Sequence, residues 1–346
     1  MAMAEIKTET RVIYDCSPDT IPADIAGSCE PVVLKGVVKN WKAVSLAAES
    51  PLAIVDYLKH WYNGKLSLVN RGHAGIKGRY FYSEDLKGFN YDTVKMRVDE
   101  ALDLILDSAN QPDEPSYYIS SNSIDSHFPG FRDENNLQVP RAETGYPTYP
   151  PDVKIWIGTR SLATCHYDAL DNIACCVAGR RRFTLFPPSQ FENLYFGPLE
   201  PTPGGQAISM VNFDSPDFNR FPRFRTALAT AQVVELEPGD AVYIPSMWMH
   251  HVEGLSPFNV LVNYWWNDAP IYTGSGMNVL YHALLSLRDK PEHEKEGWKH
   301  LFDYYIFGDT SKPIEHLPEH AQGVLGVMDD MKSRQLRAML INKLNR

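Results

Sequence analysis

The sequence lacks the features that mark membrane, secreted and nucleic-acid-binding proteins. Acidic residues outnumber basic ones by 43 to 33, and the formal charge of -10 argues against a basic face that would neutralise nucleic-acid phosphates. No apolar run approaches the roughly 20 residues that a membrane-spanning helix needs. The opening stretch, MAMAEIKTET, has no apolar core of the kind found in signal peptides. We therefore expect neither a nucleic-acid partner nor a membrane partner.

Cysteine is also scarce, and its positions form no metal or disulfide pattern. The chain has five cysteines, two of them adjacent at Cys175 and Cys176, and none is part of a CxxC pair. An odd number with this spacing argues against a disulfide scaffold and against a cysteine zinc site. We therefore expect a cytoplasmic protein whose buried thiols serve as small apolar side chains.

The composition that is present predicts a globular chain with three regions. Hydrophobic residues make up 44% of the 346 residues, as in ordinary globular proteins. Residues 1–115 mix strand-like and helix-like patterns, with helices predicted over Pro51–Tyr62 and Val98–Ala109. Residues 116–270 alternate short β-branched and aromatic runs with Pro and Gly turns, which is typical of an antiparallel sandwich or barrel. Residues 271–346 return to helical spacing. We predict a mainly β fold with an N-terminal α/β extension packed on the core and a C-terminal helical segment.

Candidate metal ligands lie at two separate places in the predicted β region. In CHYDALDN, His166 and Asp168 are two residues apart, so in a strand they face the same side. In EPGDAVYIPSMWMHHVEG, a turn at Pro238–Gly239 and a short strand precede His250 and His251. Two histidines and one carboxylate leave three coordination positions open, as in iron(II) enzymes that bind oxygen and a co-substrate together. Strand alternation alone does not choose between the two distal histidines.

These motifs together resemble the Jumonji-C hydroxylases of the cupin superfamily, in particular the branch similar to the asparaginyl hydroxylase of the hypoxia response. The resemblance covers about residues 28–270 and rests on EPVVLKG, HYDALDN, AGRRRFTLFPP, PGDAVYIPSMWMHHV and NYWW. It implies a double-stranded β-helix, or jelly roll, with iron(II) and 2-oxoglutarate as cofactors. It also implies that His166, Asp168 and His250 bind the metal, with His251 as a hydrogen-bonded neighbour.

The resemblance further implies a pocket for 2-oxoglutarate. The cation that holds its far carboxylate is commonly a lysine in the family, and the matching position here is Arg181, which can form two parallel hydrogen bonds to a carboxylate. Alternation along the strand places Arg180 and Arg182 on the opposite face, so we expect one arginine inside and two outside. The family often has a threonine at the position of Ala163, whereas this chain has Thr164 one place later as a candidate contact. The other implied pocket residues are Tyr118, Asn172, Asn263 and Trp265.

Two functions remain open at this point. The first is a 2-oxoglutarate-dependent dioxygenase, acting as a hydroxylase on a protein side chain or a small molecule. The second is a cupin-type metal-binding module without oxygenase activity, in which Arg181 holds some other anion. The long insert over residues 196–225 is predicted to be a lid or a substrate-contacting surface.

The end of the chain predicts self-association. From Ala321 to Leu344 the sequence predicts one long helix, whose apolar surface exceeds the single stripe that packing on a closed β domain requires. The resembling branch pairs through C-terminal helices. We therefore expect a homodimer built by residues 271–346. The alternative is that the C-terminal helices fold back over the outside of the β domain and leave a monomer.

Overall fold

The computed structural model describes residues 9–111 and 113–345. Two compact units are present: residues 149–268 together with the described residues up to 144 form the first, and residues 145–148 together with those from 269 onward form the second. Among the helices of the described ranges, none is both long enough and apolar enough to cross a membrane.

The strands of the first unit form two sheets. They are β1 Arg11–Ile13, β2 Val32–Leu34, β3 Leu66–Gly72, β4 Arg79–Tyr80, β5 Asp92–Arg97, β6 Ser116–Ser123, β7 Asp152–Gly158, β8 Leu162–Tyr167, β9 Asp171–Ala178, β10 Arg181–Phe186, β11 Gln232–Leu236, β12 Ala241–Ile244, β13 Met249–Gly254 and β14 Asn259–Trp266. The larger sheet has the order β1-β2-β12-β9-β14-β7-β6-β3-β5, and the smaller has the order β11-β10-β13-β8-β4. Most neighbours are antiparallel, and the two sheets form the predicted jelly-roll core.

Three clusters of buried side chains show how the layers of this unit are arranged. One cluster joins the two sheets, with Ala174 and Val242 from the larger sheet and Phe183 and Val252 from the smaller. A second packs helices onto the other face of the larger sheet. The third covers the outer face of the smaller sheet with the insert that follows β10. The helices of this unit are α1 Lys42–Glu49, α2 Pro51–Trp61, α3 Val98–Ser108, α4 Ile124–His127 and α5 Phe224–Leu228.

Local sequence signals explain the start of α2. The side chain of Ser50 accepts a hydrogen bond from the backbone N–H of Ala53, and Pro51 occupies the first helical position. Both features satisfy or remove backbone donors that have no partner inside a first helical turn. The helices predicted over Pro51–Tyr62 and Val98–Ala109 are confirmed, each ending one residue earlier than expected.

The turn at residues 238–240 (PGD) fixes the start of β12, the strand that leads towards His250 and His251. Gly239 has φ +98°, a left-handed conformation that glycine adopts without strain. The Asp240 carboxylate accepts hydrogen bonds from the backbone N–H groups of Glu237 and Gly36, at 3.0 and 2.9 Å, and pairs with Lys35. These contacts fix the turn to the residues that follow β2, and β12 runs from the turn towards the distal histidines.

The second unit contains α6 Gly276–Ser286, α7 Glu292–Phe302 and α8 Asp330–Leu344. The prediction of one long helix from Ala321 is wrong in its first third. Gly323 has φ +54° and Gly326 is extended, so the α-helical path is interrupted there. The helix begins only after Asp329, whose side chain accepts a hydrogen bond from the backbone N–H of Lys332 at 2.8 Å.

Candidate active site

The structure brings the three predicted metal ligands together at one end of the smaller sheet. His250 of β13 lies directly opposite His166 of β8, and their ring centroids are 4.3 Å apart. Asp168 follows β8, and its carbonyl accepts a hydrogen bond from Met247 N–H at 2.8 Å, which ties the two strand ends together. One ligand atom from each of the three side chains lies within 4.8 Å of the others.

The hydrogen bonds of the two imidazoles fix which nitrogen faces the centre. His166 Nδ1 lies 2.9 Å from the carbonyl oxygen of Thr164, and His250 Nδ1 lies 3.0 Å from that of Trp248. A carbonyl only accepts, so both Nδ1 atoms carry the proton and both Nε2 lone pairs are free. His250 Nε2 lies 3.4 Å from the Asp168 carboxylate. Two neutral imidazole nitrogens and one carboxylate oxygen form the donor set that suits iron(II) with open coordination positions.

The electrostatics of the centre favour the protonation states that bind metal. Burial, and then the electrostatic influence of His250, lower the pKa of His166 to about 4. Burial alone would raise the pKa of Asp168. The interactions of the carboxylate with His250, followed by that with His166, outweigh burial, and the pKa lies below its ordinary value. At neutral pH the centre therefore holds a neutral His166 and an ionised carboxylate, as metal binding requires.

Arg181 lies inside the core, as strand alternation predicts. It is 2% exposed, and its Nε and Nη2 atoms have no hydrogen-bond partner in the described part of the chain. Its guanidinium interacts with the phenol of Tyr118; burial raises the pKa of that phenol despite the nearby positive charge. A buried cation with two free donors is costly unless an anion satisfies it, so the residues fit an acidic ligand at this position.

The neighbouring arginines face outward, where carboxylates satisfy them. The Arg182 guanidinium donates from Nε and Nη2 to Glu235, at 2.9 and 2.7 Å. Arg180 lies 3.7 Å from Glu235 and 3.8 Å from Glu237. These two arginines therefore need no ligand, which distinguishes them from Arg181.

Side-chain amides and aromatic rings join the arginine end of the pocket to the metal end. The Trp156 indole N–H donates to Asn263 Oδ1 at 2.7 Å, and the Asn263 amide donates to Asn172 Oδ1 at 3.2 Å. Trp156 stacks on Tyr118 with centroids 6.1 Å apart and meets Trp265 edge-on at 5.9 Å. The implied pocket residues Tyr118, Asn172, Asn263 and Trp265 thus belong to one connected wall.

Trp156 is the residue of this wall that the sequence reasoning missed. It lies in KIWIG, one of the short β-branched and aromatic runs of residues 116–270 that predict strands. Period-2 alternation offered a signal, because Ile155 and Ile157 pack in the helix-covered cluster and Trp156 points the other way, towards the space between the sheets. A tryptophan facing the same interior as Arg181 is a pocket candidate.

Thr164 is buried, and its hydroxyl has no hydrogen-bond partner among the described residues. Its backbone carbonyl has a defined task, since it orients His166. Contact between the Thr164 side chain and a co-substrate stays a prediction. The cysteines near the site, Cys165, Cys175 and Cys176, are free and buried, in agreement with their interpretation as small apolar side chains.

His251 differs from the expectation of a hydrogen-bonded neighbour. It is 2% exposed, and neither ring nitrogen has a partner in the described ranges. Its ring instead stacks on Phe213 of the insert, with centroids 4.3 Å apart and planes 21° apart. The insert over residues 196–225 therefore supplies part of the cover of the smaller sheet; its predicted role as a lid stays a prediction.

The burial of His251 predicts acid sensitivity of the metal-free protein. Burial, and then the charge of Arg79, lower its pKa from 6.5 to about 3. Between these values the unfolded chain binds the proton more readily, so stability falls as pH drops below 6.5. We expect a loss of about 2 kcal/mol at pH 5 relative to pH 7 from this residue. Urea unfolding at both pH values tests it: His251→Phe, which can still stack on Phe213, should shrink the difference. An unchanged difference would contradict the assignment.

Comparisons with known proteins agree with this geometry. Residues 18–271 match the family model described as "Cupin-like domain". The chain is 31% identical over 155 residues to the lysine-specific demethylase JMJ31 of Arabidopsis thaliana, which covers 41% of this chain and 27% of the relative. It is 35% identical over 140 residues to human HSPB1-associated protein 1, covering 39% of this chain and 28% of the relative.

A third relative aligns over more of both chains. The tRNA wybutosine-synthesizing protein 5 of Danio rerio is 26% identical over 283 residues, covering 76% of this chain and 77% of that protein. The first two alignments, by contrast, span little more than a quarter of the relatives' length. Because the family match covers most of the sequence and the fold and ligand geometry agree with it, the chain belongs to the cupin-like family of the Jumonji-C type.

Proposed function

We propose that this protein is an iron(II)- and 2-oxoglutarate-dependent oxygenase, acting as a hydroxylase. The observation that carries the proposal is the pairing of the His166–Asp168–His250 cluster with the buried, partly unpartnered guanidinium of Arg181 on the same sheet. Bound iron would supply the oxygen chemistry that couples decarboxylation of 2-oxoglutarate to succinate with hydroxylation of a C–H bond.

The residues of the chain would perform the binding and orienting. Arg181 and Tyr118 would hold the far carboxylate, because the guanidinium offers two free donors and the phenol lies beside it. Carbonyl acceptors hold His166 and His250 with Nε2 towards the centre. The wall of Trp156, Asn263 and Asn172 would exclude water from the space between the two ends.

Succinate formation tests the proposal. The purified chain with iron(II), 2-oxoglutarate and oxygen should release succinate slowly even without a prime substrate, and should not do so with zinc in place of iron. The alternative, a metal- and anion-binding module without oxygenase activity, predicts metal binding and acid binding by calorimetry with no succinate under either condition.

We propose a small molecule or a protein side chain as prime substrate. The formal charge of -10 supports this choice over a nucleic acid, since phosphate contacts need a basic surface. The names of two relatives point to methylated lysine, a protein side chain, for one of those proteins and to tRNA for the other. Stimulation of succinate release by peptide, metabolite or tRNA pools would distinguish the three classes.

We also propose a homodimer through the second unit. Its three helices expose many large apolar side chains, and Met339, Leu340 and Ile341 of α8 are 41, 41 and 59% exposed. Consecutive helical residues point about 100° apart, so these three apolar side chains lie on different sides of α8. Two interlocked copies would bury all three. α8 carries four basic residues and one acidic residue, whereas α7 carries three acidic and two basic, so the helices of two copies are complementary in charge.

Sedimentation at micromolar concentration measures the oligomeric state. We expect a species of twice 39.2 kDa for the wild-type chain and a monomer for the double variant Leu336→Arg, Leu340→Arg. Leu52→Arg, which changes an exposed leucine of α2, is the matched control and should remain dimeric. A wild-type species near 39.2 kDa would contradict the dimer.

A further inference from the structure

Two short segments cross between the two sheets beside the candidate metal centre. The first, the Asp168 crossing (residues 168–170), runs from β8 of the smaller sheet to β9 of the larger one. The second, the 245–248 turn, runs from β12 of the larger sheet to β13 of the smaller one. Neither of these described segments takes part in the strand pairing. Contacts between the two segments therefore have to fix Asp168 relative to His250, which follows the turn.

Two consecutive backbone groups tie the turn to the Asp168 crossing. The Met247 N–H donates to the carbonyl of Asp168 at 2.8 Å. The Ser246 N–H donates to Oδ1 of Asp171, the first residue of β9, at 3.0 Å. The hydroxyl of Tyr243, a fully buried residue of β12, lies 3.0 Å from the same carboxylate oxygen. The half-buried Asp171 side chain thus connects the turn, β12 and the end of the Asp168 crossing.

A shift of the 245–248 turn would reach both ligands that it lies between. Its Met247 N–H contacts Asp168, and its Trp248 carbonyl lies 3.0 Å from Nδ1 of His250, whose orientation it sets. Met247 has φ +67°, a left-handed conformation that is unfavourable for a residue with a Cβ. Such a conformation persists only where surrounding contacts hold it, so the turn depends on its hydrogen bonds.

We propose that Asp171 is a positioning residue for the metal centre. Its carboxylate holds the 245–248 turn against the Asp168 crossing, so that Asp168 and His250 already stand in place before a metal binds. Without that hydrogen bond, metal binding would first have to order the two segments, which lowers affinity. The proposal rests on the metal site of the oxygenase proposed above.

Three substitutions separate this role from a simple effect of charge. Asp171→Ala removes the acceptor, whereas Asp171→Asn removes the charge but keeps an oxygen that can accept from the Ser246 N–H. Asp92→Ala removes the same charge from the first residue of β5, at the edge of the same sheet. The Trp248 indole donates to the carbonyl of Cys29 at 3.0 Å and anchors the turn independently, so we expect Asp171→Ala to fold.

The same hydrogen bond can also be removed from its donor side. Ser246→Pro lacks the N–H, and proline suits the second position of a turn, where Ser246 lies because the Trp248 N–H donates to the carbonyl of Pro245. Ser246→Ala keeps the N–H and is the matched control. If Asp171→Ala did not fold, this pair would test the proposal.

Cobalt(II) calorimetry on the full chain measures the affinity, and the visible absorption of bound cobalt reports the ligand geometry. Thermal unfolding of the metal-free chain checks that each variant folds. We expect Asp171→Ala and Ser246→Pro to lose about 10- to 100-fold in affinity and to change the absorption spectrum. Asp171→Asn, Ser246→Ala and Asp92→Ala should keep both the spectrum and, within about three-fold, the affinity of the wild type.

Two results would overturn the positioning role of Asp171. One is a wild-type affinity and spectrum in folded Asp171→Ala. The other is an equal loss in Asp171→Ala and Asp171→Asn, because the charge and not the hydrogen bond would then be responsible. A wild-type chain that bound no cobalt would contradict the metal site itself, and with it the proposed oxygenase.

Discussion

Replacing His250 with alanine should lower the affinity for divalent metal by more than about 100-fold. The three ligand atoms converge within 4.8 Å, and Asp168 and His166 alone would hold an ion with two protein contacts. Loss of a residue that only supports a ligand typically costs 10–100-fold in metal affinity, so loss of a ligand should exceed about 100-fold. Calorimetry with cobalt(II), together with its visible absorption, measures both the affinity and the nitrogen ligation.

The adjacent His251 provides a matched control for His250→Ala. His251 is equally buried but points to the opposite face of β13, where it stacks on Phe213. His251→Phe should therefore keep cobalt affinity within a few-fold of wild type and keep its absorption spectrum. A large loss in His251→Phe with little change in His250→Ala would exchange the roles of the two residues.

Strand alternation predicted part of the candidate ligand set that the structure brings together. Residues two apart on a strand share a face, which placed His166 with Asp168 and set Arg181 apart from Arg180 and Arg182. The distal ligand needed more than alternation, because both histidines of the pair are buried in β13. Spacing within the resembling family chose His250, and the pairing opposite His166 supports that choice.

Other features depended on contacts that no local pattern contains. Trp156 reaches the pocket because β7 and β14 pair in a register that brings it to Asn263. The stacking of His251 depends on an insert residue 38 positions earlier, and sequence spacing does not reveal it. The long helix predicted from Ala321 failed for a different reason: apolar spacing continued through two glycines whose backbone conformations are not helical.

Replacing Arg181 with alanine should raise the apparent Michaelis constant for 2-oxoglutarate strongly. Removing one partner of a buried, hydrogen-bonded charge pair costs on the order of 2–5 kcal/mol, which corresponds to roughly 30- to 5,000-fold in affinity. Arg181→Lys should fall between wild type and alanine, because lysine retains the charge but not the two parallel hydrogen bonds. Steady-state succinate release against 2-oxoglutarate concentration gives the constants, and calorimetry on the zinc-loaded chain gives affinities without turnover.

Stability measurements separate a ligand-binding arginine from a structural one. In the ligand-free chain the Arg181 Nε and Nη2 atoms have no partner among the described residues, so the substitution breaks no ion pair there and removes a costly buried charge. The ligand-free Arg181→Ala protein should therefore unfold at nearly the wild-type temperature, although a 2-oxoglutarate analogue should stabilise only the wild type. Arg182→Ala, which loses a surface pair with Glu235, should leave the Michaelis constant unchanged. If Arg181→Ala kept the wild-type constant, or if Arg182→Ala raised it, the carboxylate would have to be held elsewhere in the pocket.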